Sequence, residues 1–280
     1  MSDYIWNQEF DGPMGTALDQ QYWTPEIGDG GSKGIPGWGN NEREYYIAEA
    51  AYFDGDGTLF IDATRLPVFS KDNPDGMITN ENPYFCYYLT ACEWTSARYV
   101  TENKLSFLYG RIEASIKMPS GVGTWPAFWL LGTDLPEVGW PKSGEIDIIE
   151  GLGRDPMTAY GTLHGPGYSA GQGFGRHVLQ DDSLDSRFRN YAINWKPDYI
   201  SWEIDGVIFH EATPADVAPN EWVFNKPHYM ILNLAMGGGF AGNVDPKLES
   251  AQLAVEYIRY SQFEGFGELT ENYRLQPDAE

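Results

Sequence analysis

The stretch YISWEIDGVIFHEA, residues 199 to 212, does most to limit the fold. Ile200, Trp202 and Ile204 alternate with Ser201 and Glu203, and a second apolar run begins after Asp205-Gly206. A repeat of two is that of a strand with one buried face, and Asp-Gly accepts the positive φ angles of a two-residue hairpin turn. A hairpin centred on Asp205-Gly206 is therefore predicted. The segment LSFLYGRIEASIKMP (105–119) places Ile112, Ala114 and Ile116 at the same period, and YAINW (191–195) reads as another strand. Long helical periodicity is missing, and TPADVAP allows at most one short helical turn. With 32 Gly and 18 Pro spread along the chain, turns are plentiful. The expectation is one all-β domain over residues 1–280, a sandwich or jelly roll.

Composition narrows the function classes. Hydrophobic residues make up 42% of the 280, enough for a sizeable core. The formal net charge of −23 repels nucleic acid and anionic membrane surfaces, so neither is expected as a partner, whereas a neutral polymer is indifferent to it. No apolar run approaches the 18 or so residues of a membrane span. The first residues, MSDYIWNQEFDG, lack the basic and apolar regions of a signal peptide. Either the protein is intracellular or a leader has been replaced by Met1; an extracellular location, with the leader absent from this chain, is the expectation. Cys86 and Cys92 in CYYLTAC are read either as two free thiols or as a small-loop disulfide, and their spacing matches no zinc pattern.

The chemistry concentrates in GEIDIIE, residues 144 to 150, where an isoleucine-rich strand carries Glu145, Asp147 and Glu150. Burying three carboxylates costs desolvation and mutual repulsion, so an apolar strand holds them only for a reason. Glu145 and Asp147 share a face, but Glu150 lies an odd number of residues from Glu145 and would face the other way. One extra residue, a β-bulge between Asp147 and Glu150, returns it to the same side. Two such acids about 5–5.5 Å apart are what a retaining glycosidase uses, one as nucleophile and one as acid/base. The alternative is a bulged edge strand whose acids face water or bind Ca²⁺. Trp125 and Trp129 in GTWPAFWLLG and Trp140 in VGWPKSGE favour the first reading, because flat rings stack on the apolar faces of sugars.

The segments WPAFWLLG, GWPKSGEIDIIE and GTLHGPG together resemble glycoside hydrolase family 16, in the laminarinase branch with E-x-D-x-x-E. GWGNNEREYY (37–46), residues 95–119, YAINWKPDYISWEIDGVIFHE (191–211) and KPHYMILNLAMGGGFAGN (226–243) follow in the family's order. The resemblance implies a concanavalin A-like jelly roll of two curved antiparallel sheets, with the glucan in a groove across the concave one. It implies Glu145 as nucleophile, Glu150 as acid/base and Asp147 as assisting acid. It further implies sugar contacts from Asn41, Arg98, Trp125, Trp129, Trp140 and His164, with Asn41 and Arg98 donating to hydroxyls and His164 near Glu150. For Trp129 a core position, and for His164 a bond to loop backbone, are the competing readings. No cofactor is needed for the chemistry. The family's structural Ca²⁺ site maps onto Glu256, with backbone oxygens near Glu9 and Gly57. Ile149 stands where many relatives carry Met, and GLGRDP after Glu150 departs from the usual pattern on the product side.

The expected activity is endo-hydrolysis of a β-1,3-glucan by a monomer. Mixed-linkage β-1,3-1,4-glucan hydrolysis and transglycosylation use the same residues. A non-catalytic glucan-binding module has no need of the acid triad. A sulfated polymer would favour a basic groove, which 18 Lys plus Arg hardly supply. GYSAG (167–171) matches a nucleophile elbow in letters alone, since no strand-to-helix turn surrounds it. DGDG (54–57) reads as a hairpin turn rather than a calcium loop, and the four histidines form no HExxH.

Overall fold

The computed structural model describes residues 4–67, 77–87 and 90–273. Two large sheets stack face to face. One runs Val207–Ala212, Tyr199–Ile204, Arg189–Lys196, Gly110–Lys117, Ser250–Ser261, Leu59–Arg65, Trp94–Ser96 and Glu44–Tyr46. The other runs Phe174–Leu179, Asp155–His164, Glu145–Leu152, Thr124–Gly132, His228–Met236, Leu105–Leu108 and Glu268–Glu271. Arg98–Val100 also pairs with His228–Met236, and Thr24–Pro25 pairs with it in turn. Among the described residues, strand pairing is antiparallel apart from Glu44–Tyr46 against Trp94–Ser96, where a long connection lets two strands run side by side in the same direction.

Period-two patterning fixes which face is buried. Ile112, Ala114 and Ile116 on one sheet and Phe128, Leu130, Ile146 and Leu232 on the other all enter the common core. Trp195 and Trp202 are wholly buried in that core, and Trp202 reaches the acid-bearing strand. The predicted hairpin is present: Ile204 pairs with Val207, and Asp205 and Gly206 take φ values of 50° and 78°. DGDG is likewise a turn, joining Ala51–Phe53 to Leu59–Arg65 and held by the Asp54 carboxylate, which accepts from the Asp56 and Thr58 N–H groups. TPADVAP forms a single helical turn, Pro214–Val217, and the region of GYSAG holds an isolated bridge between Gly165 and Tyr168 and the 3₁₀ turn Ala170–Gln172. Cys86 and Cys92 are disulfide-bonded, which resolves the open choice between thiols and a bridge.

The side chains of Glu9 and Glu256, near the expected Ca²⁺ site, have protein partners. Glu9 takes both N–H groups of Arg259 at 2.8 Å, so its charge is already matched. Glu256 is the extra residue of a bulge in Ser250–Ser261 and accepts the Ser115 hydroxyl at 2.6 Å. Gly57 lies in the DGDG turn with φ 93°.

Candidate active site

The bulge anticipated between Asp147 and Glu150 is present. Asp147 pairs with Trp129 and Ile149 with Phe128, so Ile148 is the extra residue. Across the other edge Asp147 opposes Thr162 and Glu150 opposes Tyr160. The consecutive residues Ile148 and Ile149 both enter the core, which regular alternation forbids. Two isoleucines pointing inward in succession put Glu145, Asp147 and Glu150 on the one face turned away from the core. The bulge gives a branched apolar strand a polar face without burying an acid among its isoleucines.

Each outer glutamate receives an indole N–H. Trp125 Nε1 donates to Glu150 Oε1 at 2.9 Å, and Trp140 Nε1 donates to Glu145 Oε2 at 2.8 Å. His164 lies directly across from Glu145. Its Nε2 is 3.1 Å from Asp147 Oδ2 and 3.7 Å from Glu145 Oε1. The structure thus seats His164 against Asp147 and Glu145, with Glu150 in its electrostatic reach, because it is the cross-strand partner of position 145. Gly173 makes room for the ring: a Cβ there would come within 2.5 Å of His164 Cε1.

Burial and the negative charge of Asp147 push both Glu145 and Glu150 up to about 8. Burial alone would lower His164, but the bond to Asp147 and the surrounding carboxylates overcome it and raise the imidazole to about 9. The cluster therefore titrates as a unit, with an imidazolium paired to Asp147. The neighbours distinguish the two glutamates. Glu145 has the imidazolium at 3.7 Å and an indole donor, whereas Glu150 has its indole donor and only the more distant His164 charge. Both carboxyls are raised alike, and the imidazolium lies closer to Glu145 than to Glu150. Glu145, Asp147 and His164 also form an acid–imidazole group compact enough for a cation, their ligand atoms lying within 4.8 Å of one another. A protonated His164 supplies that positive charge itself.

The remaining predicted contacts fall into two groups. Arg98 is sandwiched between rings, its guanidinium 4.5 Å from the centre of Trp38 and 4.8 Å from that of Trp129. Its Nε bonds Glu26, which also pairs with Lys33. Burial opposes the charge on Arg98, and the Glu26 carboxylate more than restores it. Trp129 is neither core nor free platform. Its Nε1 donates to Asn233 Oδ1 at 2.8 Å, Asn233 Nδ2 donates to the Tyr46 hydroxyl at 3.2 Å, and that hydroxyl donates to Glu42 at 3.3 Å. Arg98 and Trp129 thus hold one another in place, which sequence spacing could not reveal. Asn41 is exposed, with φ 60°, a conformation asparagine tolerates better than most residues. Its loop is stitched to residues 236–239 through Arg43 N to Met236 O and Gly239 N to Asn40 O.

Sequence reasoning missed three groups. Trp38 and Glu26 complete the Arg98 clamp; Trp38 stood within the quoted GWGNNEREYY, but nothing signalled its partner. Phe240 meets Trp125 and Tyr160 edge-on at 5.5 and 5.3 Å, on the side of Glu150 away from Arg98. Trp202, from the opposing sheet, donates through Nε1 to the Asp147 backbone oxygen at 2.8 Å.

The sequence profile of Glycosyl hydrolases family 16 matches residues 70–259. A beta-glucanase of Rhodothermus marinus is 34% identical over 271 residues, covering 92% of this chain and 84% of that protein. Among solved structures, the laminarinase catalytic domain of Thermotoga maritima MSB8 superimposes with a TM-score of 0.80 at 39% identity, over 92% of this chain and 96% of that one. The endo-β-1,3-glucanase of Pyrococcus furiosus gives 0.81 at 42% identity, over 93% and 94%. An acid triad aligned by a bulge, on a sandwich of this topology and with relatives of this closeness, places the chain in family 16 of the glycosyl hydrolases.

Proposed function

We propose that the chain is an endo-acting, retaining hydrolase of β-1,3-glucans in which Glu145 is the nucleophile and Glu150 the acid/base. The observation that carries this reading is the alignment of three acids on one outward face, with a separate N–H donor on each outer glutamate. Glu145 attacks the anomeric carbon while Glu150 gives its proton to the departing oxygen; Glu150 then deprotonates water, which releases the sugar with its configuration retained. Asp147, paired with the His164 imidazolium, supplies the charge that keeps Glu150 protonated near neutral pH. The imidazolium and the Trp140 N–H offset that same charge at Glu145. Trp140, 46% exposed beside the nucleophile, offers a ring face to a sugar.

Extracellular action by a monomer belongs to the same proposal. The Cys86–Cys92 bridge fits an oxidising compartment. The chemistry requires no metal. The test is release of reducing ends from laminarin beside barley mixed-linkage glucan, with Glu145→Gln as control. Cleavage of laminarin that disappears in the variant supports both substrate and nucleophile. Cleavage of the mixed-linkage polymer alone moves the substrate assignment, and binding without cleavage overturns the enzymatic reading.

A further inference from the structure

We infer that Trp202, wholly buried on the opposing sheet, is a positioning residue that sets the geometry of the acids through the backbone of the bulge. A carbonyl in a regular strand lies in the plane of the sheet and points at a neighbouring strand. The Asp147 carbonyl instead accepts the Trp202 indole N–H from the core side at 2.8 Å. It is therefore tilted inward at the residue where the extra Ile148 begins to distort the ladder.

The surroundings are built to admit this indole. Gly161 lies between Tyr160 and Thr162, the residues that oppose Glu150 and Asp147, and so faces the two isoleucines of the bulge. A Cβ at Gly161 would come within 2.7 Å of Trp202 Cδ1 and 3.0 Å of Phe209 Cζ. Only glycine lets the tryptophan reach the strand. On the other side His210 stacks on Trp202 with centroids 4.7 Å apart and planes at 24°, and Phe174 lies 5.3 Å from His210. Burial outweighs the other influences on His210 and lowers it to about 4, so the imidazole is neutral. An uncharged stack thus presses the indole against the bulge.

The consequence is register control. A bulge that moves by one residue carries the following side chain to the opposite face, which for this strand means Glu150 among the isoleucines. Hydrophobic burial of Ile148 and Ile149 disfavours that slip in general. The directed N–H bond to one carbonyl fixes the finer placement of Asp147 relative to Glu145 and Glu150. Displacements of about 1 Å at reacting groups cost as much as 100-fold in rate.

The inference rests on the proposal that these acids are catalytic, and the experiment separates the two. Trp202→Phe removes the donor, Gly161→Ala pushes the ring away, and the benzothienyl analogue of tryptophan at position 202 keeps the shape while deleting the N–H. Trp6→Phe, also buried but with an indole nitrogen lacking a partner, is the control for loss of packing. Laminarin kinetics across pH are read together with thermal unfolding and ¹³C-carboxyl titration of Glu145 and Glu150, which needs no substrate. The expected result for the analogue is a fall in kcat of about 10- to 100-fold with KM within about two-fold, and displaced carboxyl titrations. Trp6→Phe lowers the melting temperature and leaves kcat and titrations as they were. If the wild type cleaves laminarin and the analogue keeps its kcat and pH profile, the positioning role is overturned. If the wild type is inactive, the functional reading fails, and unchanged titrations in the analogue would overturn the inference as well.

Discussion

Replacing each of two tryptophans by phenylalanine should move different limbs of the pH–rate profile. Trp125 gives its N–H to Glu150 at 2.9 Å and Trp140 gives its own to Glu145 at 2.8 Å. A donor favours the charged carboxylate, so its removal raises the pKa of the acid it served. Hydrogen bonds to charged groups contribute about 1.5–3 kcal/mol, and only the part that distinguishes carboxylate from carboxylic acid shifts the pKa. At about 1.36 kcal/mol per unit, the half-buried Trp125–Glu150 bond should give a rise of about one unit. Trp140 is 46% exposed, so water substitutes for its donor and the rise should be about half a unit.

The signs then separate the roles. Glu150 must be protonated to act, so its ionisation defines the alkaline limb, which Trp125→Phe moves to higher pH. Glu145 must be ionised, so its protonation defines the acid limb, which Trp140→Phe also moves to higher pH. One variant widens the active range and the other narrows it. Both lose a sugar-facing indole, so the readout is the position of each limb in kcat/KM, not its height. A shift of the acid limb by Trp125→Phe and of the alkaline limb by Trp140→Phe would reverse the assignment. Limbs that stay in place would refute the hydrogen-bond argument.

Further outcomes follow from the same cluster. Glu150→Gln should lose most activity on laminarin yet keep the first step on an aryl β-glucoside with a good leaving group, seen as a burst of phenol; absence of any burst would remove Glu150 from the acid role. The folded state raises Glu145 and Glu150 from 4.5 to about 8 and His164 from 6.5 to about 9. Their protonated forms are favoured by folding, so this contribution is complete below the unfolded values and is lost as pH rises through the folded ones. The melting temperature of the wild type should fall between pH 5 and pH 9, and more steeply than that of the Glu145→Gln/Glu150→Gln variant; equal slopes in calorimetry would contradict this. Arg98→Ala strands Glu26 with Lys33 alone and removes the support between Trp38 and Trp129. It should cost on the order of 3 kcal/mol in denaturant unfolding and raise KM, whereas Arg98→Met with Glu26→Gln should recover stability without recovering KM.

What could be read from residues alone followed the range of the interaction that determines it. Alternation and Asp-Gly disclosed the hairpin at 205–206 because strand faces and turn angles are local. The bulge was legible because an odd spacing between Glu145 and Glu150 conflicts with a shared chemical task, and one extra residue resolves it. The contacts of His164 with Asp147 and Glu145 were not legible, since they depend on the register between two strands. The partners that hold Arg98, Glu26 and the rings of Trp38 and Trp129, come from distant segments and left no local signal. The same reason hid Trp202 and Gly161, whose meeting across the sandwich leaves no short-range pattern. For Glu256, a bulge and the Ser115 hydroxyl decide the side chain's surroundings, and neither is visible in AVEYIRY.

The central claim is that Glu145 carries the sugar through a covalent intermediate while Glu150 handles the proton. Trapping with a 2-deoxy-2-fluoro-β-laminaribiosyl fluoride, followed by peptide mapping in a mass spectrometer, addresses it directly. The account predicts one added disaccharide on the peptide containing Glu145, absent in Glu145→Gln and still formed in Glu150→Gln. A label on Glu150, or unlabelled enzyme that releases the α-anomer as its first product, would contradict it.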